Sequence, residues 1–232
     1  MSEEMISRKF QLSSFQIIIL GFAGVILLGA LLLMLPIATQ EGCTTPFNEA
    51  LFTATSAVCV TGLVIHDTGS YWSAFGQTII LTLIQIGGLG VVTVAASFAL
   101  LSRRRISLMQ RTTLQDAISA PNVGGIVRLT KFILWGTFLI ELIGALAMLP
   151  VFCHDYGWHG IWLAVFHSVS AFCNAGFDIL GTADNLYPSL TSYEQNPIMN
   201  ITIMLLIIIG GIGFLTWEDI CENKLQFRRY RM

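Results

Sequence analysis

Four apolar runs, separated by polar stretches, organise the chain. Phe10 to Gln40 holds 31 residues without a Lys, Arg, Asp or Glu, and the interval between Asp67 and Arg103 holds 35 more. A third run, Phe132 to Phe152, is interrupted only by Glu141, and a fourth, Asn200 to Trp217, is almost entirely Ile, Leu, Met and Gly. About 20 apolar residues cross a hydrocarbon core of about 30 Å, so each run predicts a transmembrane helix. The first is long and is followed by Pro36, not by a small-residue cleavage site, so it reads as a span and not as a signal peptide.

Two further segments, Phe47 to Leu63 and Ile161 to Phe177, are too short and interrupted to span and too apolar for ordinary loops. They predict re-entrant segments, which persist at membrane depth only where their backbone faces protein or water. An internal repeat supports this. Ala50 to Leu63 laid over Ala164 to Phe177, at an offset of 114, matches six of fourteen positions: Ala, Phe, Ser, Ala, Cys and Gly. Downstream, Ile86-Gly87-Gly88-Leu89-Gly90 recurs as Ile209-Gly210-Gly211-Ile212-Gly213 at an offset of 123, so the second unit carries nine extra loop residues. The order of span, short segment and span occurs twice in the same direction, a parallel repeat. The expected fold is all-α and membrane-embedded, with four spans. Residues 1–101 form one unit, 102–127 a basic linker and 128–232 the second unit with a short basic tail.

Composition agrees with that reading. Of the 232 residues 54% are hydrophobic and only 11% charged, against about 25% charged in soluble domains. The net charge of −2 offers no basic face for nucleic acid. All 12 cations fall into three clusters: Arg8 and Lys9; Arg103, Arg104, Arg105, Arg111, Arg128 and Lys131; Lys224, Arg228, Arg229 and Arg231. Four spans put these clusters on one side, which the positive-inside rule names cytoplasmic, termini included. The opposite side receives Glu41, Glu49, Asp67, Asp155, Asp178, Asp184 and Glu194 and no Lys or Arg. Such a face attracts cations.

Each short segment starts with a helix-compatible stretch, Asn48 to Ala57 or Trp162 to Ala171, and ends in a small-residue string: Cys59-Val60-Thr61-Gly62 and Cys173-Asn174-Ala175-Gly176. A half-helix entering from outside aims its carbonyl end, with about half a negative charge, at the membrane interior. The string after it can turn carbonyl oxygens toward an axis and replace an ion's hydration shell, and glycine permits the backbone angles required. The matched recurrence favours this over a pair of tight outer turns.

At these residues the chain resembles the first two repeats of the Trk/Ktr/HKT potassium transporter superfamily, and most closely a bacterial KtrB-type (TrkH-like) pore subunit. The carriers are Ser-Ala-Val-Cys-Val-Thr-Gly-Leu and Ser-Ala-Phe-Cys-Asn-Ala-Gly-Phe, each followed by a Gly-Gly-hydrophobic-Gly span. The resemblance implies a potassium-translocating pore in the cell membrane, with K+ held by carbonyls of Val60, Thr61, Gly62, Asn174, Ala175 and Gly176. In that family glycine at the first filter position accompanies potassium selectivity and serine accompanies sodium transport, so Gly62 resembles the potassium type. The resemblance also implies a homodimer of pore subunits and a cytosolic nucleotide-binding ring of the RCK type. Family members carry four units, including a gating loop in the third and a basic residue in the fourth. Two units are present here, so the chain reads as part of a longer subunit. The alternatives are a two-unit cation channel subunit that pairs to complete the ring, and a non-conducting membrane assembly fragment.

Other residues carry more ordinary readings. The glycines of the two Gly-Gly motifs are expected to let helices approach closely more than to act as hinges. Glu141 sits mid-span, where a carboxylate costs about 3 kcal/mol. It is expected to partner a neighbouring helix or free backbone NH groups near the strings rather than to coordinate ions. Asp67 and Asp178 follow their strings by five and two residues, and stand either as outer-mouth acids that concentrate cations or as solvated loop charges. Cys153, His154, Asp155 and His159 lie in one outer loop without metal-site spacing. Of Cys43, Cys59, Cys153, Cys173 and Cys221, none is predicted to form a disulfide, and Cys59 and Cys173 are expected to pack behind the strings as small hydrophobes. No nucleophile has a convincing base, so an enzyme is not expected and no cofactor is implied beyond the transported ion. The basic linker, with its polar stretch Gln110 to Ile118, suits anionic lipid headgroups or a regulatory partner.

Overall fold

The computed structural model describes residues 13–90, 93–94 and 126–223. The clusters at Arg8 and Lys9, Arg103 to Arg111 and Lys224 to Arg231, the stretch Gln110 to Ile118 and the side chain of Cys221 lie outside the described residues. So does all of the expected linker except its last two positions.

Among the described residues the chain is helical, with isolated bridges Thr39–Trp72 and Thr182–Asn185 in place of strands. Helix α1, Ser14–Leu33, starts in a capping box in which Ser13 and Gln16 satisfy each other's backbone NH groups. Helix α2, Phe47–Val58, is the first short segment. A single turn, α3 (Thr68–Tyr71), leads into α4, Ala74–Leu89, capped by Ser73. The second unit repeats this order with α5 (Ile126–Tyr156), α6 (His159–Phe172) and α7 (Pro197–Ile212), followed by α8 (Phe214–Asn223).

Two helices are long and apolar enough to cross a membrane, Phe15–Leu33 within α1 and Arg128–Tyr156 within α5, while α4 and α7 are apolar but shorter at 16 residues. The third apolar run extends well beyond Phe132 to Phe152, over 31 helical residues. The fourth run is not continuous as expected. Gly213 adopts φ 93° and separates α7 from α8, just as Gly90, at φ 81°, ends α4. An L side chain resists that left-handed region, so these two glycines are chain breaks. Close packing, expected of all six, belongs to Gly87, Gly88 and Gly210.

Those contacts recur at matched positions. A Cβ on Gly87 would collide with the carbonyl oxygen of Val58, at the end of α2, and a Cβ on Gly210 with that of Phe172, at the end of α6. Within each unit the two longer helices and the short one touch mutually, α1 with α2 and α4, α5 with α6 and α7. The units meet through α4 against α6. Val58, Ile80, Ile84, Leu163, Phe166 and Phe172 belong to one buried apolar cluster that draws on both units. Outward faces stay apolar: Trp135 is 78% and Ile19 66% exposed, as suits helices solvated by lipid.

A methyl at Gly87 must push α4 away from α2. Gly87→Ala is expected to destabilise the protein by about 1–3 kcal/mol and lower its Tm in detergent, whereas Gly24→Ala, inside α1 with nothing within 4 Å, does not lower Tm. Equal Tm values for the two variants would contradict the close-approach account.

Candidate ion-binding site

Both short helices end in the same closure. Cys59 caps α2, the NH of Val60 donates to the Ala57 carbonyl (3.3 Å) and that of Thr61 to the Ser56 carbonyl (3.0 Å). In α6 the NH groups of Asn174 and Ala175 donate to Ala171 (3.0 Å) and Ser170 (2.7 Å). This is the Schellman pattern, which needs a left-handed residue after the cap, usually glycine. Here that residue is Val60 at φ 56° and Asn174 at φ 57°. Asparagine tolerates the region; a β-branched valine there is strained by about 1–3 kcal/mol.

Two residues on, Gly62 and Gly176 are again left-handed, at φ 72° and 71°, while Thr61 and Ala175 between them are not. The NH groups of positions 60–61 and 174–175 are spent on the helix ends, and the string carbonyls are released from the helical ladder. The helix C-termini add negative potential at the same place. Two serines, identical at the repeat offset, brace the turns: the Ser56 hydroxyl lies 2.8 Å from that of Thr61, and the Ser170 hydroxyl donates to the Phe177 carbonyl at 2.7 Å.

The fold brings the two strings into contact. A Cβ on Gly62 would lie 2.6 Å from the Ala175 carbonyl oxygen and 3.3 Å from the Gly176 Cα. Thr61, Asn174 and Gly176 are exposed on the open side. Behind the second string lies a cavity of about 300 Å³ bordered by His167, Asn174, Asp178 and Ser189. Nδ1 of His167 donates to the Leu163 carbonyl at 2.8 Å. The Asn174 amide donates to Ile207 on α7.

The two cysteines differ, contrary to expectation. Cys173 packs against Gly88 of the other unit, where an added Cβ would lie 2.5 Å from its sulfur, but Cys59 is exposed. Gly211, the counterpart of Gly88, has only the Asn174 amide near it, at 3.8 Å. One side therefore shows a cysteine without its glycine, and the other a glycine without its cysteine.

The acids also separate. Asp67 is not a solvated loop charge: it is 4% exposed, caps α3 and accepts from the Ser70 NH (2.7 Å) and hydroxyl (2.8 Å) and from the Tyr187 NH (2.9 Å) across the unit boundary. Asp178 is half-buried and accepts weakly from the Leu180 NH at 3.4 Å. Burial, reinforced by nearby Asp67, raises its carboxyl above the ordinary range. Glu141 bonds neither string. Gln85 of α4 donates to its carboxylate at 2.9 Å, and Ser168 of α6 donates to its backbone carbonyl at 2.6 Å, so it partners neighbouring helices. Asp155 accepts from Tyr193 at 2.8 Å and pairs with His154 at 2.7 Å.

Gln77 was not singled out by the sequence reading, although a glutamine in an apolar run is a usable signal. It accepts from the Trp162 indole at 2.8 Å and donates to the Trp72 carbonyl at 3.1 Å, linking the outer frame of the first unit to the start of α6. Tyr187 was missed as well; its hydroxyl donates to the Ile65 carbonyl at 3.0 Å.

The profile of the TrkH family of cation transport proteins matches residues 7–232. The chain belongs to this family. It is 43% identical over 211 residues to the potassium/sodium uptake protein NtpJ of Enterococcus hirae, covering 90% of this chain and 46% of that protein. The Ktr system potassium uptake proteins B and D of Bacillus subtilis are 42% and 35% identical, over 90% and 94% of this chain and 45% and 48% of their own lengths. The chain thus spans about half the length of the curated relatives it matches.

Asn174→Val places a β-branched residue in the left-handed turn and is expected to cost about 1–2 kcal/mol more than Asn174→Gly, which loses the same side-chain hydrogen bond; equal denaturation midpoints would contradict a strained turn. For Asp178, a raised folded-state pKa means its contribution to stability is complete below the ordinary carboxylate range and is lost as pH rises through the raised value. Asp178→Asn is therefore expected to raise Tm at pH 7, with the gain shrinking as pH falls toward about 4; a pH-independent difference would refute the assignment.

Proposed function

We propose that this chain forms half of a potassium-translocating pore in the cell membrane. The observation that carries the reading is the matched pair of strings, each with left-handed turns at the end of a short helix and in contact at Gly62. In this reading α1, α4, α5 and α7 are four spans with cytoplasmic ends, and α2 and α6 enter from outside without crossing. K+ sheds water against carbonyls of Val60, Thr61 and Gly62 and of Asn174, Ala175 and Gly176, with Cys59 and Cys173 at the head of each string. Asp178, and through the buried field Asp67, bias the outer mouth toward cations. The relatives, named for potassium and potassium/sodium uptake, support the substrate class. Transport by this route needs no enzymatic step.

Ring closure follows from the unequal cysteines. The contact of Cys173 with Gly88 supplies the rule by which one unit joins the next, and exposed Cys59 and Gly211 are the unmatched halves of two more such joints. Further units of the same kind complete the ring, from the rest of a longer subunit or from a second copy of this chain. A pore-subunit homodimer and a cytosolic RCK-type nucleotide-binding ring are the partners that the family resemblance suggests.

The deciding experiment measures potassium uptake in a bacterial strain without its own uptake systems. It compares this chain, its Gly62→Ser variant, and the chain co-expressed with the part of Bacillus subtilis Ktr protein B that it does not cover. Growth at low potassium in the co-expression arm, with at least tenfold loss of potassium-over-sodium preference on Gly62→Ser, is the expected result. Rescue by the chain alone favours closure by two copies. Rescue whose preference ignores Gly62→Ser contradicts the carbonyl-string assignment, and absence of rescue despite membrane insertion favours a non-conducting assembly role.

A further inference from the structure

Away from the strings, a cavity of about 360 Å³ opens between α4, α5 and α6. Its walls are apolar, with Leu81, Phe138, Leu142 and Val169 among them, and its polar groups are Glu141, Gln85 and Thr82. Glu141 lies at the midpoint of α5 and is 5% exposed. One carboxylate oxygen takes the Gln85 hydrogen bond at 2.9 Å. Among the described residues the ion pairs are His66 with Glu49 and His154 with Asp155, so no cation answers Glu141. The Thr82 hydroxyl donates its proton to the Thr78 carbonyl at 2.7 Å and keeps its lone pairs.

These groups define a ligand. Donating one N–H to Glu141, Gln85 has its amide oxygen and a second N–H to offer; with Thr82 and the carboxylate, acceptors outnumber donors among the cavity's side chains. Phe138 and Leu142, each 55% exposed, flank the entrance on the face of a helix apolar enough to span. A ligand reaching Glu141 must therefore be soluble in hydrocarbon, bring its own donors and carry positive charge. A bare alkali ion does not meet this: hard cations take six or more oxygens, and the walls are mostly carbon. A protonated amine on a compact apolar body does, because its N–H groups form charge-assisted bonds to the carboxylate while the body displaces lipid from the walls.

We propose that the cavity between α4, α5 and α6 binds a compact hydrophobic amine as its ammonium, with Glu141 as the counter-ion. None of its lining residues belongs to the two strings, so the proposal does not rest on conduction by the chain.

The test is equilibrium binding of radiolabelled 1-adamantylamine to the whole chain in phosphatidylcholine nanodiscs, with 1-adamantanol as the neutral analogue. The expected result is saturable amine binding at least tenfold tighter than that of the alcohol, weakened at least tenfold by Glu141→Gln. Leu142→Trp narrows the entrance without touching the carboxylate and is expected to reduce binding as well, so the proposal remains testable if Glu141→Gln does not fold. Equal affinity for amine and alcohol, or undiminished amine binding in folded Glu141→Gln, overturns it. So does a change of oligomeric state in Leu142→Trp without a change in amine affinity, which would mark the groove as a contact between copies.

Discussion

A helix that ends inside a protein, away from water, leaves its last carbonyls to be satisfied or presented by design. In this chain that constraint is met twice by one device. The NH groups just beyond α2 and α6 fold back onto the final turn, and a glycine of the following helix presses against the terminal carbonyl. Because Gly87 and Gly210 admit no side chain there, α4 and α7 stand close enough to fix where each string begins. The left-handed turns, the contact between strings and the seam of α4 with α6 all follow from that placement.

The outer frame holds the two units in register. Gln77 reaches Trp162, Asp67 takes the NH of Tyr187, and Tyr187 returns a hydrogen bond to Ile65. Gln77 and Asp67 are buried and Tyr187 is exposed, and each finds its partner in the other unit. Losing one partner strands the other, so such ties enforce geometry more than they add net stability. The charge of Asp67 is thereby both a structural cap and part of the field around Asp178.

Much of this was legible in the residue pattern. The apolar runs, the two short helices and their glycine-closed strings appear as periodicity and as a repeat, because both derive from local composition. The break at Gly213 was hidden because a glycine in an apolar run reads equally as packing or as termination, and only φ distinguishes the two. The burial of Asp67 and the role of Gln77 depend on partners 120 and 85 residues away, which no local window contains. The unequal cysteines were hidden for a related reason: their sequence surroundings match, and what differs is whether a neighbouring unit covers them.

Where a site is made from backbone atoms, the amino acids along it are released from one kind of selection and bound by another. Val60 and Asn174 differ, as do Thr61 and Ala175, yet each pair shares the same sign of φ. A duplicated segment can thus drift in side-chain identity while keeping the signs of its torsions. The kinship of the two units is then better traced through the glycines and serines that enforce the chain's path than through the residues that line it.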